Sequence, residues 1–579
     1  MKAKRLVLAG VAVAIALASR QGIAAQRNHG GSGGIKHVLL LSIDGMHAID
    51  FYNCVHGIAG ANGGSPYCPN LAALSQTAIN YVNVTSSKPS DSFPGLAALI
   101  TGGSPRTHGI YYDIAYDRSL DPPAETTLSG LFGAPGLCTP FAAPSGTTTD
   151  NDQGIDINDN LLNGGAPPVA GDPYDGGVAS IEPLRLERDP ASGCAVVWPW
   201  NFIRTNTIFG VAHDAGLYTA WIDKRPSYAF VNGPGPLPDR VNDLFAPEIA
   251  STVVPLPGVN TLPSGGVSCA TVRDPTQPSG WDSSFQNIQC YDGLRLNALL
   301  NEIAGKTHNG KPAVVPAVFG MNLHSVYVGQ SVNESPVGVG GYLNAAGLPS
   351  PELLGEIEYV DTAIGFIVTA LEEAGIYNDT LLIITAKHGE SPIDTAQYVA
   401  DGTNTPATLL AEKSLIPFSE SPLNTTGVGA TEDDVSVIWL KKGASVADAV
   451  EVLDQNAGPI GLGEIYYGPS VALNFNVGGL GPDEDPRTPD IIVTPNVGVT
   501  YSSSTAMIGD HGGFAHDDNN VILLVENPHF TAQTVSAGVT TAQVAPTIVG
   551  ALGLDPALLD AVRLEGTQVL LEVGAQLGK

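Results

Sequence analysis

The chain has 579 residues, of which 43% are hydrophobic and 14% are charged, which is enough apolar content for one large core or two smaller ones. Its 57 acidic and 26 basic residues give a formal net charge of −31, which disfavours binding to nucleic-acid backbones and to anionic lipid. We therefore predict no nucleic-acid polymer as a partner, and an anionic ligand only as a small molecule at a local cationic site.

The N-terminus has the pattern of a secretory signal peptide over residues 1–25. Basic residues precede an apolar run from Leu6 to Ala18, and small residues follow as far as Ala25. Residues 26–34 are polar and rich in glycine, which is typical of a flexible linker. No later apolar run is long enough for a membrane span, so we predict a secreted or periplasmic protein with no stable membrane span.

Six cysteines suit an oxidising compartment and indicate disulfides. The sequence leaves about 15 pairings open. Pairing of nearest neighbours would give Cys54–Cys68, Cys138–Cys194 and Cys269–Cys290.

We place the domain at residues 35–579. Its first predicted strand is the apolar run from Ile35 to Ile43. Its composition is typical of a strand buried on both faces of a parallel sheet, and it ends at Asp44 and Gly45. Ligands of open α/β sheets bind at the carboxyl ends of the strands. Asp44 is therefore a candidate functional residue, although an Asp-Gly turn is an alternative interpretation.

The segment from Lys88 to Gly95 is a polar turn with prolines that leads into an apolar run of helical character. Pro94 occupies a place in the first helical turn, where no N–H donor is needed. Ser92 is thus predicted to lie at a helix N-terminus, where backbone N–H groups favour an anion or an ionised nucleophile. Taken alone, it is equally well an ordinary capping serine.

Further elements alternate between strand and helix, with loop-rich insertions at about 115–300 and 400–490. The run Pro312–Met321 predicts a strand that ends near Asn322, and residues 351–374 predict a helix that begins after Ser350. A strand follows at 381–386 and ends at Lys387 and His388, and residues 490–494 are predicted to return to the same sheet. We predict an α/β fold with a mostly parallel central sheet and helices on both faces.

Four candidates share the strand ends and helix starts of this sheet: Asp44, Ser92, His388 and His511. A hydroxyl, a carboxylate and two imidazoles in one crevice suit metal-assisted attack on an electrophile. Because imidazole and carboxylate are ligands that zinc prefers, the predicted cofactor is a divalent metal, with zinc the first choice and the number of ions, one or two, left open.

At these residues the chain resembles the alkaline phosphatase superfamily, and most closely its type I phosphodiesterase/nucleotide pyrophosphatase branch. The resemblance extends from about residue 35 to 570 and is patchy across the insertions. Its motifs are Ser-Ile-Asp-Gly at 42–45, Ser-Phe-Pro at 92–94, Thr-Gly at 101–102, His-Gly-Ile at 108–110, Lys-His-Gly at 387–389 and His-Gly at 511–512.

The resemblance implies an alkaline phosphatase-like fold and assigns roles to five residues. Ser92 takes the place of the nucleophile, which forms a covalent phospho-enzyme and contacts the second metal. Asp44 and His388 match ligands of that metal, and His511 matches a ligand of the first. Asp113 stands where the branch has an asparagine that contacts the phosphoryl group.

Three departures from the family pattern change what the site can hold. Lys387 replaces a metal-binding carboxylate, and a protonated lysine cannot ligate a metal but can neutralise an oxyanion. Asn322 and Val326 replace an aspartate and a histidine of the first metal, and we keep Asn322 as a candidate substrate-binding residue. His324 lies nearby but out of register. Four carboxylates are candidates for the missing ligand: Asp91, Asp113, Glu390 and Asp517.

We therefore predict a secreted, metal-dependent phosphoester hydrolase, a phosphodiesterase or nucleotide pyrophosphatase, with Ser92 and Lys387 as catalytic residues and a small anionic phosphoester as substrate. The first alternative is a one-metal hydrolase of phosphomonoesters, phosphonates or sulfate esters. The Ser92 segment lacks the Cys/Ser-x-Pro-x-Arg motif of sulfatases, which disfavours the last of these. The second alternative is a degenerate member that binds an anion without turnover. Lys224 could attract an anion, but we expect it on the solvated surface.

Overall fold

A computed structural model of the chain describes residues 34–124, 138–150, 178–249, 259–269, 281–416, 430–502, 504 and 506–577. The predicted signal peptide and all of the predicted linker except Gly34 lie outside these residues. From residue 35 onward the chain forms one compact unit.

Eight strands, β1 to β8 in chain order, form the central sheet: His37–Ile43, Ala78–Tyr81, Ala220–Ile222, Asp243–Phe245, Val318–Leu323, Thr380–Thr385, Leu523–Glu526 and Gln533–Val535. Their order across the sheet is β8-β2-β7-β6-β1-β5-β3-β4. Only β7 runs against the others. The prediction of a mostly parallel central sheet is confirmed.

The α-helices of the described residues, α1 to α16 in chain order, are Ala48–His56, Pro69–Leu74, Ser92–Thr101, Pro105–His108, Pro199–Phe202, Ile208–Asp214, Phe285–Ile303, Ser325–Ser331, Pro351–Glu373, Pro406–Glu412, Val446–Gln455, Val471–Asn474, His516–Asn519, Val544–Ala551, Asp560–Glu565 and Val573–Gln576. Two groups of helices pack around the sheet. Helices α3, α6 and α14 contact one another, and α7, α8 and α9 form the other group.

The middle of the sheet is apolar because its strands are covered on both faces. Strand β1 pairs with β5 and β6, and nearly all of its side chains are buried. Gly320 on β5 is required at its position, because a Cβ there would lie 1.9 Å from the carbonyl oxygen of Leu40. Helix α9 begins as predicted, with the Ser350 hydroxyl accepting a hydrogen bond from the N–H of Leu353.

A second, smaller sheet lies within the later insertion. Its four antiparallel strands follow the order Ala430–Glu432, Ser436–Ile438, Ile491–Pro495 and Leu462–Tyr467. The prediction that residues 490–494 return to the central sheet is therefore wrong. The run is apolar because its side chains are buried in the smaller sheet: Ile491 and Val493 lie in one hydrophobic cluster and Ile492 in another. The same composition would suit a strand of the central sheet. Two-residue to four-residue strand pairs complete the described elements: Val84–Thr85 with Val539–Thr540, Ile114–Asp117 with Thr147–Asp150, Arg188–Asp189 with Ala195–Val196, Asn333–Glu334 with Gly338–Val339, and Val399–Ala400 with Val499–Thr500.

All six cysteines form disulfides: Cys54–Cys68, Cys138–Cys194 and Cys269–Cys290. These are the nearest-neighbour pairs among the open possibilities. None of the described helices is both long enough and apolar enough to cross a membrane.

Candidate active site

Four parallel strands deliver charged or polar side chains to one edge of the sheet. Asp44 follows β1, and the pair Asp223 and Lys224 follows β3. His324 follows β5, and Lys387 with His388 follows β6. Because the carboxyl ends of parallel strands meet at the same edge, these side chains converge although up to 344 positions separate them in the sequence, from Asp44 to His388.

Ser92 is the first residue of helix α3, and the Asp91 side chain caps the helix by accepting a hydrogen bond from the N–H of Phe93. The helix approaches the end of β6 closely, since a Cβ on Gly95 would lie 2.3 Å from the carbonyl oxygen of Lys387. This contact explains why residue 95 is a glycine. It brings Ser92 Oγ to 3.0 Å from His388 Nε2.

Lys224 joins Ser92 to Asp44. Its Nζ donates hydrogen bonds to Ser92 Oγ at 3.0 Å and to Asp44 Oδ2 at 3.1 Å, and lies 3.4 Å from His324 Nδ1. Only 5% of the Lys224 residue surface is exposed. The expectation that Lys224 is a solvated surface residue is wrong.

Asp44 is fully buried and fully hydrogen-bonded. Its Oδ1 accepts from Asn322 Nδ2 at 2.8 Å, and its Oδ2 also accepts from His324 Nδ1 at 3.1 Å. Burial alone would raise the pKa of Asp44, but the charges of Lys387 and Lys224 hold that pKa well below its usual range. Asp44 is therefore ionised, and Asn322 serves to orient it.

Lys387 is also buried and forms its ion pair with Asp223, at 3.0 Å from Nζ to Oδ1. The indole N–H of Trp221 holds the other oxygen of Asp223 at 2.9 Å, and the ammonium lies 4.2 Å from the centre of the Tyr228 ring. Burial lowers the pKa of Lys387 against the pull of Asp223. We call Asp44, Ser92, Asp223, Lys224 and Lys387 the lysine pocket.

His388, Glu390 and His511 form a second group, which we call the histidine cluster. One ligand atom from each lies within 4.8 Å of the others, which is a spacing suitable for a metal ion. The two imidazole rings stack with their centres 3.9 Å apart. Of the four carboxylates left open by the sequence, Glu390 is the one that the structure places in this cluster.

The polar atoms of the histidine cluster fit a cation. Glu390 is buried, and neither of its carboxylate oxygens has a hydrogen-bond partner among the described residues, and the same holds for His511 Nδ1. Burial raises the pKa of Glu390. His511 is 17% exposed; desolvation would lower its pKa, but the nearby carboxylates of Asp510, Asp91 and Glu390 raise it. Unpartnered oxygen and nitrogen donors of this type are the donor set of zinc.

His388 has one lone pair available. Its Nδ1 lies 2.9 Å from the carbonyl oxygen of Gly389, which can only accept, so Nδ1 carries the proton. Burial and the neighbouring His511 lower the pKa of His388, which keeps the ring neutral. The lone pair of Nε2 therefore faces Ser92 and is free to accept a proton or to coordinate a cation.

Asp113, the predicted phosphoryl contact, is half-buried and follows Tyr112 in the sequence. Its Oδ1 accepts a hydrogen bond from the N–H of Ile114 at 2.6 Å. Its role toward a substrate stays a prediction. The sequence reasoning missed Lys224 and Asp223, although they directly follow the apolar run at 218–222, as Asp44 follows the run at 35–43.

The sequence matches the family model described as Type I phosphodiesterase / nucleotide pyrophosphatase over residues 38–130 and 338–514. No curated protein matches the chain by sequence. Among solved structures, murine ectonucleotide pyrophosphatase/phosphodiesterase 5 is similar with a TM-score of 0.51 and 14% identity, covering 90% of this chain and 96% of that one, both alone and as an inactive variant in complex with AMP. The human protein of the same name is similar with a TM-score of 0.50 and 14% identity, covering 90% of this chain and 95% of that one. At this identity, the likeness to these structures shows the fold.

Proposed function

This chain belongs to the type I phosphodiesterase/nucleotide pyrophosphatase branch of the alkaline phosphatase superfamily, a metal-dependent family of phosphoester hydrolases, and we propose that it cleaves phosphodiesters with Ser92 as the nucleophile. The observation that carries the proposal is the position of Ser92 Oγ at the start of α3, 3.0 Å from both Lys224 Nζ and His388 Nε2. A hydroxyl that lies beside an ammonium and at a helix N-terminus is set up to ionise.

The reaction proceeds in two displacements. Ser92 loses its proton to solvent and attacks phosphorus as the alkoxide, so that the Oγ–P bond forms and the bond from phosphorus to the leaving oxygen breaks. The leaving oxygen keeps the electron pair and takes a proton from water. A water molecule then attacks the same phosphorus, the P–Oγ bond breaks, and Ser92 regains a proton.

Lys224 stabilises the negative charge on Ser92 Oγ and is held in place by Asp44. The Lys387 ammonium is paired with Asp223, so it does not contact the substrate. Its positive charge helps to lower the pKa of Asp44 and so keeps Asp44 ionised. The sequence analysis assigned the neutralisation of phosphoryl oxygens to Lys387. We propose that Lys224 makes this contact instead. The first helical turn of α3 adds backbone N–H groups close to the same place.

The histidine cluster would hold the divalent metal, zinc by its donor set, through His388, Glu390 and His511. Bound there, the ion would supply Lewis-acid stabilisation to the charge that develops on the phosphoryl group. Glu390 compensates in part for the carboxylate that Lys387 replaces. The resemblance assigns Asp44 and Ser92 to a second metal.

The substrate class follows from the family and from the local charge. The murine relative is described in complex with AMP, and a small nucleotide-like phosphodiester would bring its anion to Lys224. The net charge of −31 confines such attraction to this site. The three disulfides fit an oxidising compartment, in accord with a secreted or periplasmic protein.

Hydrolysis of bis(p-nitrophenyl) phosphate by wild type and Ser92→Ala tests the proposal, with p-nitrophenyl phosphate and p-nitrophenyl sulfate as the competing substrate classes. We expect diesterase activity that the Ser92→Ala substitution reduces by about 10³-fold or more. Rapid quenching of the wild-type reaction should trap a phosphoserine, and mass spectrometry of its peptides should locate the phosphate on Ser92.

Two outcomes contradict the proposal in different ways. Higher activity on the monoester or the sulfate ester would replace the diesterase by a hydrolase of that ester class. A Ser92→Ala variant as active as the wild type, or a wild type that binds phosphate without turnover, would support the degenerate anion-binding member instead.

A further inference from the structure

Lys224 stands where the family resemblance puts a metal ion. The resemblance assigns Asp44 and Ser92 to one metal, and Lys224 Nζ donates to an oxygen of each, at 3.1 and 3.0 Å. A divalent ion bound to these two oxygens would lie about 2.0–2.2 Å from each of them. It would compete with the ammonium for the same lone pairs while carrying charge of the same sign.

The charges of the lysine pocket balance without a metal. Asp44 and Asp223 contribute two negative charges, and Lys224 and Lys387 contribute two positive ones. All four side chains are at most 7% exposed. Buried charges are tolerated when they are paired, so adding a divalent cation here would leave two uncompensated positive charges in a region of low dielectric.

The neighbouring side chains do not alter this balance. Arg295 forms its ion pair with Asp292, and Asp292 also accepts hydrogen bonds from the backbone N–H groups of His324 and Ser325. Asn322, which stands where the family has an aspartate, contributes a neutral amide. Two carboxylates of the family pattern are therefore replaced, one by the neutral Asn322 and one by the cationic Lys387, while Asp44 remains.

We propose that Lys224 supplies, at Asp44 and Ser92, the positive charge that the family takes from its second metal ion. The enzyme then holds one metal, in the histidine cluster. Asp44 binds and positions the Lys224 ammonium and is not a metal ligand. This inference rests on the proposed function for the role of Ser92. No covalent bond to Lys224 forms or breaks: it donates a hydrogen bond to Ser92 Oγ before, during and after the displacement.

Metal content by mass spectrometry of the purified holoenzyme tests the assignment without reference to activity. We expect one equivalent in the wild type, one equivalent in Asp44→Asn, and none in Glu390→Gln. Two equivalents in the wild type, or the loss of an equivalent in Asp44→Asn, would overturn the proposal, since a metal ligand cannot be neutralised without weakening its ion.

Activity then tests the role of the charge. Because Lys224→Met would leave Asp44 buried without its ion-pair partner, the double variant Asp44→Asn/Lys224→Met keeps the pocket balanced. We expect it to fold, to retain one equivalent of metal, and to lose about 10²–10³-fold in diesterase rate. Lys442→Met, an exposed lysine distant in sequence from the site, is the matched control and should leave the rate unchanged.

Chemical rescue separates supplied charge from mere structure. The single variant Lys224→Ala should regain at least about tenfold in rate with propylammonium, which carries a hydrogen-bond donor, and nothing with tetramethylammonium, which carries none. Equal rates for the double variant and the wild type would overturn the proposal. If the wild type proves inactive on phosphoesters, the proposed function fails, and the metal counts still decide where the metal is held.

Discussion

The lysine pocket and the histidine cluster adjoin each other at Ser92 and His388, yet they treat buried carboxylates in opposite ways. In the lysine pocket, Asp44 and Asp223 each have an ammonium partner. In the histidine cluster, Glu390 has an imidazole 3.6 Å away as its ion-pair partner and no hydrogen bond to either oxygen among the described residues. The charges of the lysine pocket are therefore paired within the protein, whereas the histidine cluster has lone pairs available for a ligand.

The difference has a physical consequence for what each region can bind. A region whose charges are already paired gains little from a cation and has to break an ion pair to admit one. A region with unpartnered donors bears a cost that a bound ion would remove. Adjacent pockets of these two kinds favour a substrate anion at the boundary between them, where Ser92 lies.

The largest effect on stability should come from breaking the pairing in the lysine pocket. Lys387→Met leaves Asp223 charged and buried without its ammonium, which should lower the free energy of unfolding by about 3–5 kcal/mol. Urea unfolding followed by fluorescence measures the change. The double variant Asp223→Asn/Lys387→Met should recover most of the loss, and a double variant no more stable than Lys387→Met would show that the pair is not the cause.

Glu526, in β7, provides a comparison outside the site. It is buried and accepts hydrogen bonds from the hydroxyl groups of Thr77 and Tyr377, and burial raises its pKa to about 7. A pKa raised in the folded state means that the stability contribution is complete below the unfolded pKa of about 4.5 and is lost as the pH rises through 7.

The free energy of unfolding should therefore fall by about 3 kcal/mol between pH 4.5 and pH 8 on account of Glu526 alone. Urea unfolding at a series of pH values, compared between wild type and Glu526→Gln, isolates this term from the other carboxylates. The difference between the two proteins should change across this interval, and a constant difference would contradict the assignment.

Glu390→Met should have a smaller effect whose sign depends on the metal. In the presence of a chelator, removing a buried carboxylate whose oxygens have no hydrogen bond among the described residues should raise the free energy of unfolding by about 1–2 kcal/mol. In the presence of zinc the order should reverse, because the wild type alone gains the binding free energy of the ion. Thermal unfolding with and without chelator distinguishes the two regions: Asp44→Asn should show no such reversal.

The central sheet was predictable because its strands are buried on both faces and therefore read as continuous apolar runs. The start of α9 was equally legible, since Ser350 and Pro351 form a capping pattern. Residues 490–494 were assigned to the wrong sheet, because an apolar run of five residues carries no information about its pairing partner. That pairing is a property of the whole insertion.

For the site, the search of strand ends and helix starts located Asp44, Ser92, His388 and His511, and the structure brings them together. It could not rank Glu390 above three other carboxylates, because only the fold decides which one reaches the two imidazoles. Lys224 was discounted because most lysines are solvated. Its position after the apolar run at 218–222 indicated the same edge of the sheet, but its burial depends on two distant partners, Asp44 and Ser92, which that position alone does not identify.

The smallest predicted effect concerns Asn322, which the sequence assigned to substrate and which the structure places on Asp44. Asn322→Ala removes one donor from Asp44 Oδ1 and should lower the free energy of unfolding by about 1 kcal/mol. Because Asp44 keeps Lys224 and His324, its position should loosen without being lost, so we expect a lower kcat and an unchanged KM for the diester. An increase in KM with kcat unchanged would instead return Asn322 to the substrate-binding role predicted from the sequence.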